Sequence, residues 1–270
     1  MKRTSAVLAT LLAFGAVRSL ADAIPTSIFV VSDTNGLCRQ IASDLFVLTN
    51  RILRLEHPKD RHRAFRARLQ RGEMTPDELS STLVLAAESL AGATNWIDAD
   101  SRRFAVGALG EFGTTNALPF LERGMRGDGP ADPIDAMWSL VDISERIPEA
   151  LETIASALRA ERREDARLHF DLYARIGDEF EYGKPDETRR KALCGFLLER
   201  TDGETVQAGQ LDELLCRVEP AFRESPERFR MAARLAETEL ANGTTNGAFR
   251  ALEASLSAQR GRSTDEGESE

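Results

Sequence analysis

Residues 101–125, SRRFAVGALGEFGTTNALPFLERGM, carry the clearest sequence signal for the fold of this chain. Its apolar residues recur every three or four positions, first up to Phe112 and again from Ala117, which is the spacing of one face of an α-helix. Gly113-Thr114-Thr115-Asn116 lies between the two stripes, and glycine and asparagine favour tight turns. The stretch therefore predicts two helices joined by a short turn.

The same two-helix pattern recurs about one period of 31–33 residues further along the chain. Ala105 aligns with Ala136, 31 residues on, and Ala117 aligns with Ala150, 33 residues on. The turn sequence returns as Gly243-Thr244-Thr245-Asn246, near four such periods. One helical hairpin cannot bury its apolar face alone, so its neighbours must supply the missing surface. The period predicts an all-α chain in which antiparallel hairpins stack as an α-α superhelix.

Helical patterns also lie on both sides of this stretch. Thr75-Pro76-Asp77-Glu78 is typical of a helix start, with a capping hydroxyl followed by proline and two acids. Aromatic residues make up only 6 % of the chain, which favours helices over strands. We expect an N-terminal helical region over 24–95 that matches the repeats poorly, repeats over 96–260, and a disordered acidic tail over 261–270.

Residues Arg103–Gly113 resemble one helix of a HEAT-type repeat, with a basic residue, small residues, Ala-Leu-Gly and a glycine at the turn. Asn116–Leu121 is similar to the second helix of such a unit, and Asp135–Ile143 to the start of the next one. The resemblance implies an α-solenoid that binds proteins along its concave face. It carries over no catalytic residue, because the shared positions are packing positions. Some relatives act on cofactors or DNA, so the resemblance leaves an enzyme open.

The first residues have the features of a signal peptide. Lys2 and Arg3 precede an uncharged run over 5–17, and Ala21-Asp22-Ala23 has the small-x-small pattern of a cleavage site. The alternative is an uncleaved membrane anchor, but a membrane span needs roughly 20 apolar residues. We therefore expect cleavage of residues 1–23 and an exported protein, periplasmic or extracellular.

The charge of the chain is unevenly distributed. Its net charge of −9 argues against nucleic-acid binding. Residues 51–71 nevertheless hold eight arginines or lysines and only two acids. This segment is either a solvated helix face that pairs with acids elsewhere, or a docking surface for an anionic lipid, a polyanion or an acidic protein. The candidate partner-binding residues are Arg61, Arg63, Arg66, Arg68 and Arg71.

The sequence contains no recognisable catalytic, cofactor-binding or metal-binding motif. The three histidines form no His-Glu-x-x-His pair, and there is no Cys-x-x-Cys, Gly-x-Ser-x-Gly or phosphate-binding loop. We expect Asp98 and Asp100 to cap a helix and not to bind a metal. His169 is expected to be structural or to face solvent.

Two further pairs of residues have alternative interpretations. Cys194 and Cys216 are either small buried hydrophobic residues or a disulfide that joins neighbouring helices. Trp138 is expected in the core because its neighbours at three and four residues are apolar. Trp96 lies at a loop–helix junction and remains undecided, but tryptophan is enriched in binding hot spots.

The sequence therefore predicts a non-enzymatic, extracytoplasmic interaction or scaffold protein that binds a protein partner through a helical-repeat surface. Two alternatives remain open. One is an enzyme whose site is assembled in the concave groove. The other is a peripheral membrane protein that docks through residues 51–71.

Overall fold

The computed structural model describes residues 36–55, 57–92, 94–160, 166–202, 204 and 207–241. Several predicted features lie outside these ranges. They are the signal peptide at 1–23, the second Gly-Thr-Thr-Asn turn, a predicted last helix containing Phe249, Leu252 and Leu256, and the tail at 261–270.

The described residues form eleven α-helices and no strand, so the all-α prediction is confirmed. The helices are α1 (Gly36–Leu53), α2 (Pro58–Gln70), α3 (Pro76–Ser89), α4 (Trp96–Phe112), α5 (Leu118–Met125), α6 (Pro133–Ile143), α7 (Glu149–Ala160), α8 (Ala166–Asp178), α9 (Glu187–Arg200), α10 (Ala208–Val218) and α11 (Pro226–Ala241). The chain divides into two compact units, one ending at Ala117 and the other beginning at Leu118. The predicted boundary at residues 95 and 96 stays a prediction.

In the first unit, α3 packs on α1 and α4, and α1 also contacts α2. The start of α3 is the predicted capping box. The Thr75 hydroxyl accepts from the backbone N–H of Glu78, and the Glu78 carboxylate accepts from the N–H of Thr75. The turn before it needs Gly72, whose φ of 62° is left-handed. These local signals fix where α2 ends and α3 begins.

In the second unit, helices pack on helices one or two places along the chain. α5 packs on α6 and α7, α6 packs on α7 and α8, and α8 packs on α10. Further along, α10 contacts α9 and α11. Fully buried leucines at the centres of these helices, such as Leu121, Leu140 and Leu172, form the core. The apolar stripes read from the sequence are therefore the faces that meet.

Side-chain hydrogen bonds recur between residues about one predicted period apart. Helix pairs two places apart are joined in this way in both units, which is the spacing that stacked hairpins require. The pairs and their separations are Thr49 with Thr82 (33 residues), Glu122 with Ser156 (34), Asp142 with Arg175 (33), and Asp202 with Arg234 (32). These four separations are close to the period counted from aligned residues, but the division of the chain after Ala117 falls between α4 and α5, the two helices of the first predicted hairpin, so the stacked-hairpin arrangement stays a prediction.

The structure corrects the predictions for Trp138 and for the cap of α4, and it decides between the two alternatives for Cys194 and Cys216. The prediction that Trp138 belongs to the core is wrong, because its side chain is 42 % exposed. It lies on the same face of α6 as Asp135 and Asp142, at steps of three and four, and this polar face turns to solvent. Cys194 and Cys216 are both free thiols, so the disulfide alternative is not formed; Cys194 is buried as a small hydrophobic residue.

The prediction that Asp98 and Asp100 cap α4 is also wrong. Asn95 is the N-cap, and its Oδ1 accepts from the N–H of Asp98 at 2.9 Å. Asp98 instead accepts from Arg54, and Asp100 pairs with Arg61 at 2.7 Å. The two aspartates tie α4 to the chain around α2, which a cap prediction from local sequence cannot foresee.

Two glycines in helices predict opposite effects of the same substitution. A Cβ on Gly124 of α5 would lie 2.7 Å from the Cβ of Ala131 and 3.1 Å from that of Ala136, so Gly124→Ala should destabilise by about 1–3 kcal/mol. A Cβ on Gly107 of α4 meets no atom within 4 Å, so Gly107→Ala should stabilise by about 0.5–1 kcal/mol. Urea unfolding of both variants measures this; equal stabilities would show that α5 does not approach the loop this closely.

Candidate functional site

Arg61 is placed differently from the other candidate arginines. Its side chain is only 6 % exposed, its Nε donates to the carbonyl of Leu55 at 2.6 Å, and its guanidinium pairs with Asp100. The guanidinium carbon also lies 4.9 Å from the ring centre of Phe104. Arg61 therefore links α2 to α4 and to the carbonyl of Leu55, and little of its side chain is exposed.

The four remaining arginines are at the surface, and each has an acidic neighbour. Arg63 lies 3.4 Å from Asp60, and Arg66 lies 2.5 Å from Glu111. Arg68 and Arg71 both contact the carboxylate of Glu73. This agrees with a solvated face paired with acids, but these pairs leave part of every guanidinium exposed, so a docking role stays a prediction.

The ion pairs on α2 shift the pKa values of Arg66 and Glu73. Hydrogen bonding and attraction to Glu111 raise the pKa of Arg66. The hydrogen bond from Arg71 lowers the pKa of Glu73, and the charge of Arg68 acts in the same direction. Both shifts favour the charged forms of Arg66 and Glu73.

One face of α2 lines an open depression of about 560 Å³. The α2 residues that line it are spaced three or four positions apart, so their side chains lie on the same side of the helix. His62 Nδ1 lies 2.8 Å from Glu111 Oε2, and its ring packs edge-on against Phe104. The polar lining is Lys59, His62, Arg63, Arg66, Gln70 and Glu111. We call this surface the basic depression.

The start of α4 exposes two large apolar side chains in the same unit. Trp96 is 77 % exposed and Ile97 is 47 % exposed. The Asn95 cap holds the backbone at this point, so the indole is carried by an ordered helix start and not by a loop. Sequence alone left Trp96 undecided, and its exposure now makes it a candidate contact residue.

The second unit contains a buried polar cluster around Glu204, whose side chain is fully buried. His169 Nδ1 lies 2.6 Å from Glu204 Oε2, and the Tyr173 hydroxyl and the N–H of Gln207 donate to the same carboxylate. Arg200 lies 3.5 Å away. Burial raises the pKa of Glu204, but these hydrogen bonds outweigh it and lower the pKa to about 2. Burial also raises the pKa of Tyr173, so its hydroxyl keeps its proton.

Sequence reasoning assigned His169 a structural or solvent-facing role, and the structure places it in this buried cluster. His169 and Tyr173 are four residues apart among Leu168, Leu172 and Ile176, which marks them as inward-facing. That signal was available. Their partner Glu204 lies in a turn 35 residues after His169 and gives no local signal.

A nearly buried ion pair connects three segments of the second unit. Arg189 donates to both oxygens of Glu179, at 2.6 and 2.9 Å, and both side chains are almost buried. The same guanidinium donates to the Ser144 hydroxyl at 2.8 Å and to the carbonyl of Val141 at 3.1 Å. Arg189 therefore holds the end of α6 against the turn that follows α8.

Comparisons with protein-family models, with curated proteins and with solved structures find no match for this chain. Across the described ranges, no three histidine, cysteine or acidic side chains come together as a metal site. The helices in those ranges are also too short or too polar to cross a membrane. The function is therefore inferred from the chain's own residues.

Proposed function

We propose that this chain is a non-enzymatic, extracytoplasmic interaction or scaffold protein that binds a protein partner through a surface of HEAT-like helical repeats. The observation that carries the proposal is the set of side-chain contacts at separations of 32–34 residues. Helices that stack at a constant period form an α-α superhelix with long outer faces, and such faces bind proteins. The signal-peptide pattern at 1–23 supports export to the periplasm or the medium.

Trp96 supports a protein partner in particular. A tryptophan buries on the order of 150–250 Å² when it is covered, and leaving that area in water is unfavourable. Ile97 extends the apolar surface beside it. Soluble proteins expose such neighbouring apolar side chains mainly where something binds. We therefore assign Trp96 the role of a contact residue for the partner.

Trp96→Ala is expected to weaken partner binding about tenfold or more, since a buried hot-spot tryptophan contributes roughly 2 kcal/mol or more. The mature chain is tagged and used to capture binding proteins from the extracytoplasmic fraction of its source. Tyr182→Ala is the matched control, because Tyr182 is also aromatic and is 73 % exposed. Capture that survives Tyr182→Ala and is lost with Trp96→Ala supports the proposal.

Capture at about 50 mM and about 500 mM salt separates apolar from charged contacts. The proposal fails if no protein is retained at either salt, or if retention is the same for both variants. Sedimentation with anionic vesicles tests the membrane alternative: vesicle binding that Trp96→Ala leaves intact would favour a peripheral membrane protein.

A further inference from the structure

Three helices of the second unit, α6, α8 and α10, lie side by side and run in the same direction. Gln207 and Gln210 of α10 donate to the carbonyls of Ala166 and Phe170 of α8, so these two helices advance together. Arg189 joins the end of α6 to the end of α8, which gives α6 the same direction. We call the outer side of these helices the three-helix face; on it lie Asp135, Trp138, Phe170, Asp171, Asp178 and Glu213.

The three-helix face exposes two aromatic side chains. Trp138 is 42 % exposed and Phe170 is 50 % exposed. The ion pair between Asp142 and Arg175 joins residues 33 apart, and in that register Trp138 is level with Asp171, the residue after Phe170. Large aromatic side chains left in water on adjacent helices are typical of a surface that binds another molecule.

The three-helix face also keeps a negative charge. α6, α8 and α10 together contain six acids and three arginines. Asp212 pairs with Arg228 of α11, which leaves five acids, and each of the three arginines already has an acidic partner. Asp178 and Glu213 are exposed and have no ion-pair partner among the described residues. Their carboxylates are therefore available to a cation from outside.

We propose that the three-helix face binds a basic segment of a protein partner. Guanidinium and ammonium groups are attracted both to aromatic faces and to carboxylates, and this face offers both. Packed helix axes are about 8–10 Å apart, so three helices span roughly 16–20 Å, the length of about five or six extended residues.

Two other occupants fit the three-helix face less well. An anionic segment is repelled by the acids. A small metabolite lacks a pocket, because the depression between α8 and α10 has a volume of about 140 Å³, well below the roughly 300–1,000 Å³ of ligand pockets. The depression has room for the end of one side chain, and the exposed Glu213 carboxylate lies at its edge.

This inference deepens the proposed function and rests on it, because it names a second surface for the partner and the chemistry that the surface recognises. It does not depend on Trp96, which lies in the other unit. If a basic peptide fails to bind while capture still requires Trp96, this inference fails and the proposed function stands. If the peptide binds as described below and capture fails, the role of Trp96 fails and the three-helix face stands.

The probe is a dye-labelled hexapeptide, Arg-Gly-Arg-Gly-Arg-Gly, titrated with the full chain at about 20 mM salt and followed by fluorescence anisotropy. Trp138→Ala with Phe170→Ala should weaken its binding about tenfold without changing any charge. Trp96→Ala is the matched aromatic control and should leave the binding unchanged. The peptide Glu-Gly-Glu-Gly-Glu-Gly should not bind.

A second pair of variants tests the carboxylates at nearly constant shape. Asp178→Asn with Glu213→Gln should weaken binding about fivefold at about 20 mM salt and much less at about 300 mM, where charge attraction is screened. The matched control is Glu149→Gln with Glu152→Gln, two exposed acids of α7 in the same unit.

Circular dichroism confirms that each variant is folded. Loss of binding in the aromatic and carboxylate variants, with binding kept in both controls, supports the proposal. No binding of the arginine peptide, equally tight binding of the glutamate peptide, or the same loss in test and control variants overturns it.

Discussion

Glu204→Ala is expected to lower the free energy of unfolding by about 3–5 kcal/mol. The carboxylate is fully buried and receives hydrogen bonds from His169, Tyr173 and the backbone of Gln207. Its removal leaves these donors, and the nearby Arg200 cation, buried without their acceptor. Urea unfolding followed by circular dichroism at neutral pH measures the loss.

Glu213→Ala is the matched control, because Glu213 is exposed on α10 of the same unit and should change the stability by less than about 0.5 kcal/mol. Since small domains are stable by only about 5–15 kcal/mol, Glu204→Ala removes a large fraction of that stability. A loss of less than about 1 kcal/mol would mean that the cluster around Glu204 is not formed in solution.

The same cluster predicts a pH dependence with a definite sign. The pKa of Glu204 is about 2 in the folded chain, below the ordinary value of about 4.3 in an unfolded chain. The stabilisation is therefore complete above about pH 4.3 and is lost as the pH falls towards about 2. The stability difference between wild type and Glu204→Gln should shrink over this interval. A difference that stays constant from about pH 5 to about pH 2 contradicts the assignment.

Arg189→Ala is expected to destabilise the second unit by about 3–5 kcal/mol, because Glu179 keeps a nearly buried charge without its partner. The Ser144 hydroxyl and the carbonyl of Val141 also lose a donor. Lys191→Ala, two residues further along α9, removes an exposed pair with Glu187 and should cost less than about 1 kcal/mol. Unfolding in urea compares the two variants.

A double substitution separates the pair from the packing around it. Replacing both partners, Arg189→Met with Glu179→Leu, removes both charges and should restore most of the stability lost in Arg189→Ala. The single variants Arg189→Met and Glu179→Leu complete the comparison. If the loss of stability in the double variant equals the sum of the losses in these two single variants, the two side chains do not interact. Either single variant being as stable as the wild type would contradict the observed contact.

The helices were predictable because their signals are local. The capping box at Thr75, the left-handed Gly72 and the apolar stripe before Phe112 each involve residues within one or two turns of each other. Such signals determine where a helix begins, where it ends and which face is apolar. They also gave the period, because aligned alanines repeat the same local pattern.

The wrong and missed assignments have a common physical reason. Trp138 has apolar neighbours on one side and Asp135 and Asp142 on the other. Whether its side chain is buried therefore depends on which helix packs beside α6. Arg61 was named as a candidate partner-binding residue, and Asp100 and Phe104 of α4 enclose its guanidinium. Contacts between residues far apart in the chain decided both, and a single sequence does not specify them.

In a chain of stacked hairpins, helices two places apart are in contact at a separation of about one period. Nuclear Overhauser effects in the isotopically labelled protein measure such proximities directly. We predict one between the methyl groups of Thr49 and Thr82, whose hydroxyls lie 3.0 Å apart, and one between Gly177 on α8 and a methyl group of Leu214 on α10. If α1 shows no contact with α3, and α8 shows none with α10, the helices are not stacked and the repeat interpretation is wrong.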